Sequence, residues 1–320
     1  MRIGFIGVGG IAGNYLSSLK RLNREVTAVC DVKAERAAQV AAEHNSTAYQ
    51  NYREMLSNER LDAVFIAIPP GAHEHQVPHA AQTGAAVFVA KPVGLELDLV
   101  RRARDVIVEK GVINQVGYMA RYSDITEKAK ELCGDRELGL AMGRFLCRMG
   151  SGHPWWGKKI ISGGQMLEQS THVFDLMRYL IGEVDEVHAF GHKGMGTDIA
   201  DFEDSTVCNL LFENDAVANV ASTCCANAPE GFALELIGRD FYLKLVMDKK
   251  LTGKVDGQDI EFEGEETGYF RQIEQFLQAV ERNDQSLVRS SYEDAARTLA
   301  VTLAANRSLE TGHFEGVAEI

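Results

Sequence analysis

Residues 3–12 read Ile3-Gly4-Phe5-Ile6-Gly7-Val8-Gly9-Gly10-Ile11-Ala12. A short apolar run ends in a Gly-x-Gly-x-x-Ala pattern. Gly7 permits a tight turn, Gly9 lets backbone approach a pyrophosphate, and Ala12 keeps the following helix close to the strand. The helix that opens at Gly10 and Ile11 offers unpaired N–H groups and a dipole that favours negative charge. A glycine pattern alone is weak. Here a strand precedes it and a helix follows, which is the context a dinucleotide loop requires.

The next apolar run, Val26–Cys30, ends at Asp31. That places a carboxylate 24 residues beyond Gly7, near the expected separation of about 20. Such a carboxylate accepts hydrogen bonds from the adenosine ribose hydroxyls and repels a 2′-phosphate, so Asp31 favours NAD over NADP. Lys33 and Arg36 follow and can soften that preference. The plainer reading of Asp31 is a cap for a helix starting near residue 33.

Further apolar runs lie at Ala63–Ile68, Ala86–Ala90 and Val112–Val116, with amphipathic stretches near 11–22, 33–44, 73–83 and 95–109. Strand–helix alternation with continuously apolar strands predicts an α/β domain over residues 1–120, a doubly wound parallel Rossmann sheet covered on both faces. Ligands of such sheets bind beyond the carboxyl ends of the strands. Ile68, Pro69, Pro70 and His73 follow one strand end and are placed to line the nicotinamide side. For the prolines, a rigid strand stop is the competing reading. For His73 it is a helix start. Lys91 follows another strand end. Lysine tolerates a shifted pKa and suits a hydride-transfer site as donor or proton partner, although a surface lysine after a strand is commonplace.

Beyond residue 121 the pattern changes. A helix is predicted over 122–133, then strands at 141–149, 185–192, 205–212, 216–223, 232–238 and 241–247. Glu213-Asn214-Asp215 and Gly238-Arg239-Asp240 mark hairpin turns. A helix at 165–181 interrupts the series, and two more near 268–282 and 291–311 close it. Residues 121–320 therefore read as an α+β domain with a large, mostly antiparallel sheet.

The 165–181 helix carries Glu168, His172 and Asp175 at spacings of four and three, which would put them on one face. Met166, Val173, Phe174, Met177, Leu180 and Ile181 occupy the other. A histidine between two carboxylates is suited to proton transfer near neutral pH. A solvated polar face is the plainer alternative. No second histidine lies on this helix, so a metal site is not expected.

Residues 151–159 hold both tryptophans of the chain, Trp155 and Trp156, with Lys158 and Lys159 beside them. Aromatics with basic neighbours can stack on a sugar ring and bind its polar groups. The competing reading is a lid packed on the domain core. Arg121, at the expected domain junction, is a similar substrate candidate.

The 320-residue chain is 45% hydrophobic and 25% charged, with a formal net charge of -13. That charge argues against nucleic acid or an anionic membrane as partner. No signal peptide or long apolar span is read, and a cytoplasmic location is expected. The six cysteines lack metal-ligand or disulfide spacing and read as buried, reduced thiols.

Taken together, Gly7-x-Gly9-x-x-Ala12, Asp31, Pro69-Pro70-x-x-His73, Ala90-Lys91-Pro92, Val116–Arg121 and Gly163-Gly164-x-x-x-Glu168-x-x-x-His172-x-x-Asp175 resemble the glucose-fructose oxidoreductase / inositol dehydrogenase / rhizopine-catabolism (Gfo/Idh/MocA) family, over essentially the whole chain. The resemblance implies sugar, polyol or related substrates, a homodimer or homotetramer formed through the open sheet face, Lys91 as active-site lysine and His172 as proton relay. Two positions depart from the pattern. Ala90 stands where glutamate is usual, and Glu168 stands where aspartate is usual. The implied reaction is hydride transfer between nicotinamide and a carbinol carbon, with Lys91, His172 and Glu168 catalytic and Arg121, Trp155, Trp156, Lys158 and Asp175 at the substrate. The alternatives are a glycoside hydrolase that recycles its NAD, and a cofactor-sensing regulatory protein.

Overall fold

The computed structural model describes residues 1–149, 155–196, 198–247 and 249–320. Residues 151–154, the start of the tryptophan segment, lie outside the described residues.

In chain order the elements of the first stretch are β1 (Ile3–Ile6), α1 (Gly10–Arg21), β2 (Val26–Cys30), α2 (Ala34–His44), β3 (Thr47–Tyr49), α3 (Tyr52–Asn58), β4 (Ala63–Ile66), α4 (Gln76–Gln82), β5 (Ala86–Val89), α5 (Leu97–Lys110) and β6 (Asn114–Val116). Then come α6 (Asp124–Cys133), β7 (Leu138–Leu146), α7 (Lys159–Ser162), α8 (Gln165–Glu168), α9 (Thr171–Leu180), β8 (Val184–His192), β9 (Ser205–Phe212), β10 (Val217–Thr223), β11 (Phe232–Gly238), β12 (Phe241–Val246), β13 (Lys250–Val255) and β14 (Gln258–Glu263). The chain closes with α10 (Tyr269–Arg282), α11 (Tyr292–Thr311) and β15 (Glu315–Gly316).

Two compact units result, Met1–Met119 with Tyr269–Ala296, and Ala120–Gly268 with Arg297–Ile320. The first is larger than the expected residues 1–120, because α10 and the start of α11 return to it. The cause is the apolar stripe of α10. Ile273, Phe276 and Leu277 are buried in the first unit's core. Phe276 meets Phe65 and Phe88 edge-on, with ring centroids 5.5 and 5.4 Å away. Tyr292 N–H donates to Asn114 Oδ1 (2.8 Å), which fixes the start of α11 on β6.

The first unit holds a six-stranded sheet in the order β3-β2-β1-β4-β5-β6, with every pair parallel. This is the doubly wound Rossmann order. β1, β4 and β5 are buried at every position, as their unbroken apolar runs require. Phe5, Phe65 and Phe88 stack across three of these strands at 4.9 Å spacings. α3 and the edge strand β3 were not read in the sequence. β3 has only three residues and buries none of them fully, so it has no apolar signature. The helix expected from residue 73 starts at Gln76 instead, after a 3-10 turn over Pro70–Ala72.

The second unit holds a nine-stranded sheet, β14-β13-β12-β11-β7-β10-β9-β8-β15. Its pairs are antiparallel except β7 with β10. The hairpin turns fall where expected, with Asp215 and Asp240 in the left-handed region at φ 65° and 51°. β13 and β14 escaped the sequence reading because their residues are mostly charged or polar. One face of the sheet is covered by α9, which lies so close to β7 that a Cβ at Gly143 would strike the Val173 side chain.

The expected helix over 165–181 is broken. Ser170 N–H reaches back five residues to the Gln165 carbonyl (3.0 Å), and Val173 N–H restarts the pattern on the Ser170 carbonyl (2.8 Å). Glu168 and His172 are therefore not four apart on one continuous helix, and that part of the one-face argument does not hold. Nor is α9 two-faced. Thr171 through Arg178 are all buried, so the solvated-face alternative fails too.

Candidate active site

In the first unit the expected cofactor residues gather at the carboxyl ends of adjacent strands. Gly7, after β1, has φ +85°, and a Cβ there would strike the Ala67 carbonyl oxygen and crowd the Ile68 side chain. Glycine is thus demanded twice, by backbone and by space. Gly7 N–H donates to the Cys30 carbonyl (2.8 Å), tying the loop to the end of β2. Gly9 differs. A Cβ there would meet only Arg36 Nη1, at 3.6 Å, so the protein's own packing does not require glycine. The space above it is open and leaves room for a group laid on the loop, as a pyrophosphate would be. Gly9 is also the N-cap of α1 without a side-chain cap, and Gly10 and Ile11 open the helix with no acidic residue in its first turn. The loop fits an anionic dinucleotide.

Asp31 is 6% exposed. Its Oδ2 accepts from Val8 N–H (3.1 Å) and its Oδ1 from Lys33 N–H (2.9 Å). The carboxylate is therefore locked to the glycine loop, and the cap of α2 is Lys33 rather than Asp31. Arg36 Nη1 stands 3.5 Å from Oδ2. Val32, next in sequence, is 87% exposed. An apolar side chain presented to solvent beside this carboxylate suits the face of an adenine ring. Sequence reading gave Val32 no role, since one exposed valine has no pattern.

Ile68 and Pro69 are half-buried and Pro70 is buried after β4. His73 turns elsewhere. It lines a cavity of about 20 Å³ with Val93, Leu99 and Tyr292, room for a single water. Its ring nitrogens are sealed from solvent, and burial pushes the imidazole down to about 4. It is a neutral group at physiological pH. Lys91 is half-buried beyond β5, where Ala90 N–H is bound to the Ile66 carbonyl (2.8 Å).

In the second unit the structure brings Arg121 and Asp175 together. Arg121 Nε donates to Asp175 Oδ2 (2.8 Å) and Nη2 to Oδ1 (2.6 Å), a bidentate pair. Their side chains are 3% and 1% exposed. Thr298 Oγ donates to Asp175 Oδ1 (3.0 Å) and accepts from Arg178 Nη1 (2.6 Å), and Arg178 forks onto Glu183 (2.8 and 2.6 Å). A polar ladder thus runs along α9. Arg121 and Asp175, both expected at substrate, are engaged with each other. Thr298 could not be found from sequence, because it lies 123 residues from Asp175 on a helix with no distinguishing motif.

His172 is 5% and Glu168 7% exposed. The His172 ring lies over Phe145 of β7 (6.3 Å, 20° between planes) and against Phe232 of β11 (5.9 Å, 39°). These two half-buried aromatics face each other across the β7–β11 ladder. They flank the imidazole plane on the sheet side.

Trp155 and Trp156 meet edge to face at 5.9 Å. Trp156 packs on a small separate core of Met149, Ala200, Phe202 and Cys224. A Cβ at Gly157 would collide with the Ile199 backbone, so the segment is pressed onto the protein as the lid reading held. Lys158 stays exposed, with Nζ 3.8 Å from Asp201. No three His, Cys, Asp or Glu side chains converge on a metal position among the described residues.

Comparison with known proteins agrees with this architecture. Residues 1–118 match the GFO_IDH_MocA description "Oxidoreductase family, NAD-binding Rossmann fold", and residues 127–243 match the "GFO/IDH/MocA C-terminal domain". An uncharacterized oxidoreductase, YrbE, of Bacillus subtilis is 30% identical over 220 residues, which span 67% of this chain and 64% of that protein. D-xylose 1-dehydrogenase (NADP(+)) 2 of Haloferax volcanii is 26% identical over 98% of both chains. A levoglucosan dehydrogenase, solved with NADH and levoglucosan, shares the fold over 100% of both chains with a TM-score of 0.89 at 18% identity. The loop, the locked carboxylate and both matched domains agree: the chain belongs to the Gfo/Idh/MocA family of oxidoreductases.

Proposed function

We propose that this protein is a dehydrogenase that moves a hydride between a nicotinamide cofactor and a carbinol carbon of a sugar, polyol or sugar derivative. The observation that carries the reading is the Val8 N–H to Asp31 bond, which holds a ribose-binding carboxylate against the glycine loop. The hydroxyl-rich substrates named for the xylose and levoglucosan dehydrogenases support the substrate class.

The nicotinamide supplies the hydride acceptor or donor. Lys91 hydrogen-bonds the reacting oxygen and steadies its developing charge. His172, flanked by Phe145 and Phe232, takes or returns the hydroxyl proton. Glu168 binds His172 or a substrate hydroxyl. Arg121 and Asp175 serve as a positioning pair for α9, while Trp155 and Lys158 are the members of their segment left to meet substrate. Asp31 favours NAD. Arg36 lies across the same carboxylate and makes the preference over NADP partial, in keeping with the NADP(+) named for the xylose relative.

The open face of the nine-stranded sheet exposes Leu140, Met142, Phe190, Val207 and Val217, at 39% to 61%. It is the surface we assign to a homodimer or homotetramer. No helix among the described residues is long and apolar enough to cross a membrane. The expected cytoplasmic location remains part of this proposal.

The test is mutational. Lys91→Ala and His172→Ala should each lower kcat by about 10²–10⁴-fold while leaving NAD binding by calorimetry unchanged. Full turnover in either variant would remove that residue from the chemistry.

A further inference from the structure

Three of the six cysteines meet at one end of the second unit's sheet. β7 and β10 run parallel with Leu146 beside Thr223. The register continues one step further, with Cys147 N–H donating to the Thr223 carbonyl (3.0 Å); past it the chains form an isolated antiparallel bridge between Arg148 and Cys225, to which the bond from Met149 N–H to the Cys224 carbonyl (2.8 Å) belongs. The β7–β10 register and the Cys147 bond together set Cys147 beside Cys224, the last pair before that bridge. Neighbouring strands lie about 4.8 Å apart, inside the Cα separation of about 4.4–6.8 Å that a disulfide spans.

Side-chain direction agrees. Gly143 and Phe145 lie on the covered face of β7, and Cys147, just past the strand's end, is the next residue of that period. Gly143 meets Val173 and Phe145 meets His172. Cys147 Sγ accepts from Gln165 Nε2 at 3.7 Å. Ser222, on the same face of β10, bonds Ser170 (2.6 Å), and Cys224 is the next residue to point that way. Cys147 is half-buried, whereas Cys224 is 0% exposed. Burial pushes the Cys224 thiol up to about 12, with Cys225 and Cys147 adding to the rise.

We propose that Cys147 and Cys224 form a peroxide-oxidisable dithiol, a modification site at the ends of β7 and β10 that touches Gln165, the first residue of α8. Cys147, the accessible thiol, takes the oxidant. The O–O bond of a hydroperoxide breaks, Cys147 becomes a sulfenic acid, and the remaining oxygen leaves as water or alcohol. The Cys224 sulfur then attacks the sulfenic sulfur. An S–S bond forms, the S–O bond breaks, and the hydroxide leaves with the Cys224 proton as water. Two thiols lose two electrons in total, and the peroxide gains them.

The linkage alters two neighbours. It draws Sγ of Cys147 away from Gln165, the first residue of α8. It also changes the small core beneath Trp156, to which Cys224 belongs. Both tryptophans of the chain lie in that one segment, so selectively excited tryptophan emission reports on it alone and needs no substrate.

The experiment treats the full chain with hydrogen peroxide, maps linked peptides by mass spectrometry without reduction, and follows tryptophan emission. The expected result is a peptide joining Cys147 to Cys224, with an emission change that dithiothreitol reverses. Cys147→Ser abolishes both, and Cys225→Ser retains both. Thiols at 147 and 224 that stay reduced, a link that uses Cys225 instead, or over-oxidation of Cys147 without any link would each overturn the proposal. An unchanged emission in the linked protein would overturn its coupling to the tryptophan segment. Neither readout depends on the dehydrogenase assignment.

Discussion

Gly7, Asp31 and His73 show three ways in which one residue can be fixed by its surroundings. Gly7→Ala costs about 1–2 kcal/mol from left-handed backbone alone, before its contact with the Ala67 carbonyl is counted. Thermal unfolding of the variant should fall accordingly, and NAD affinity with it. Asp31→Ser removes a charged hydrogen-bond acceptor worth about 1.5–3 kcal/mol. The ratio of kcat/KM for NADP to that for NAD should rise about tenfold or more, and Arg36→Ala should lower it. The prediction for His73 is a pH effect. Its pKa falls from 6.5 to about 4 on folding, so the unfolded chain binds the extra proton first. Stability is complete above about 6.5 and is lost as pH falls toward 4, by about 3 kcal/mol for this group. A denaturation series from neutral to acid pH in the protein and in His73→Gln checks this. A slope unchanged by the substitution would refute it.

At the scale of elements, α9 is the informative case. Its spacing of His172 and Asp175 was legible, and so was its apolar side. Its burial on every side was not, because the Arg121–Asp175–Thr298–Arg178 ladder satisfies the polar residues with partners distant in sequence. The break at Gln169 and Ser170 was hidden for a different reason. Both residues are tolerated in a helix, and the Ser170 side chain is bonded to Ser222 on β10, a partner distant in sequence. Removing one member of the buried ion pair leaves the other charge unmatched, at a cost of about 3–5 kcal/mol. Arg121→Met and Asp175→Leu should each destabilise the protein by that order. The double variant should cost less than the sum, as read by urea unfolding. Additive losses would contradict a paired role.

For the whole molecule, the alternation of strands and helices foretold the parallel sheet, and the closely spaced alternating strands foretold the antiparallel one. The division of the chain was the part least open to sequence. Nothing in Tyr269–Arg282 announces which sheet its apolar stripe will cover. Phe65 and Phe88 present the aromatic surface that Phe276 completes. Phe276→Ala should cost about 3–5 kcal/mol, and a fragment ending at residue 120 should fail to unfold cooperatively. Charge placed on the open sheet face, as in Met142→Glu or Val217→Glu, should yield monomers by sedimentation without altering the fold by circular dichroism. An unchanged oligomer would move the interface elsewhere.

The measurement that bears most directly on the account is NADH formation by absorbance, with NAD and NADP in parallel, across a panel of sugars, polyols and sugar derivatives. The account predicts net cofactor reduction in proportion to oxidised product for at least one hydroxyl-rich compound, faster with NAD than with NADP. Product formed without net NADH, or no reduction across the panel by a protein that binds NAD, would contradict it.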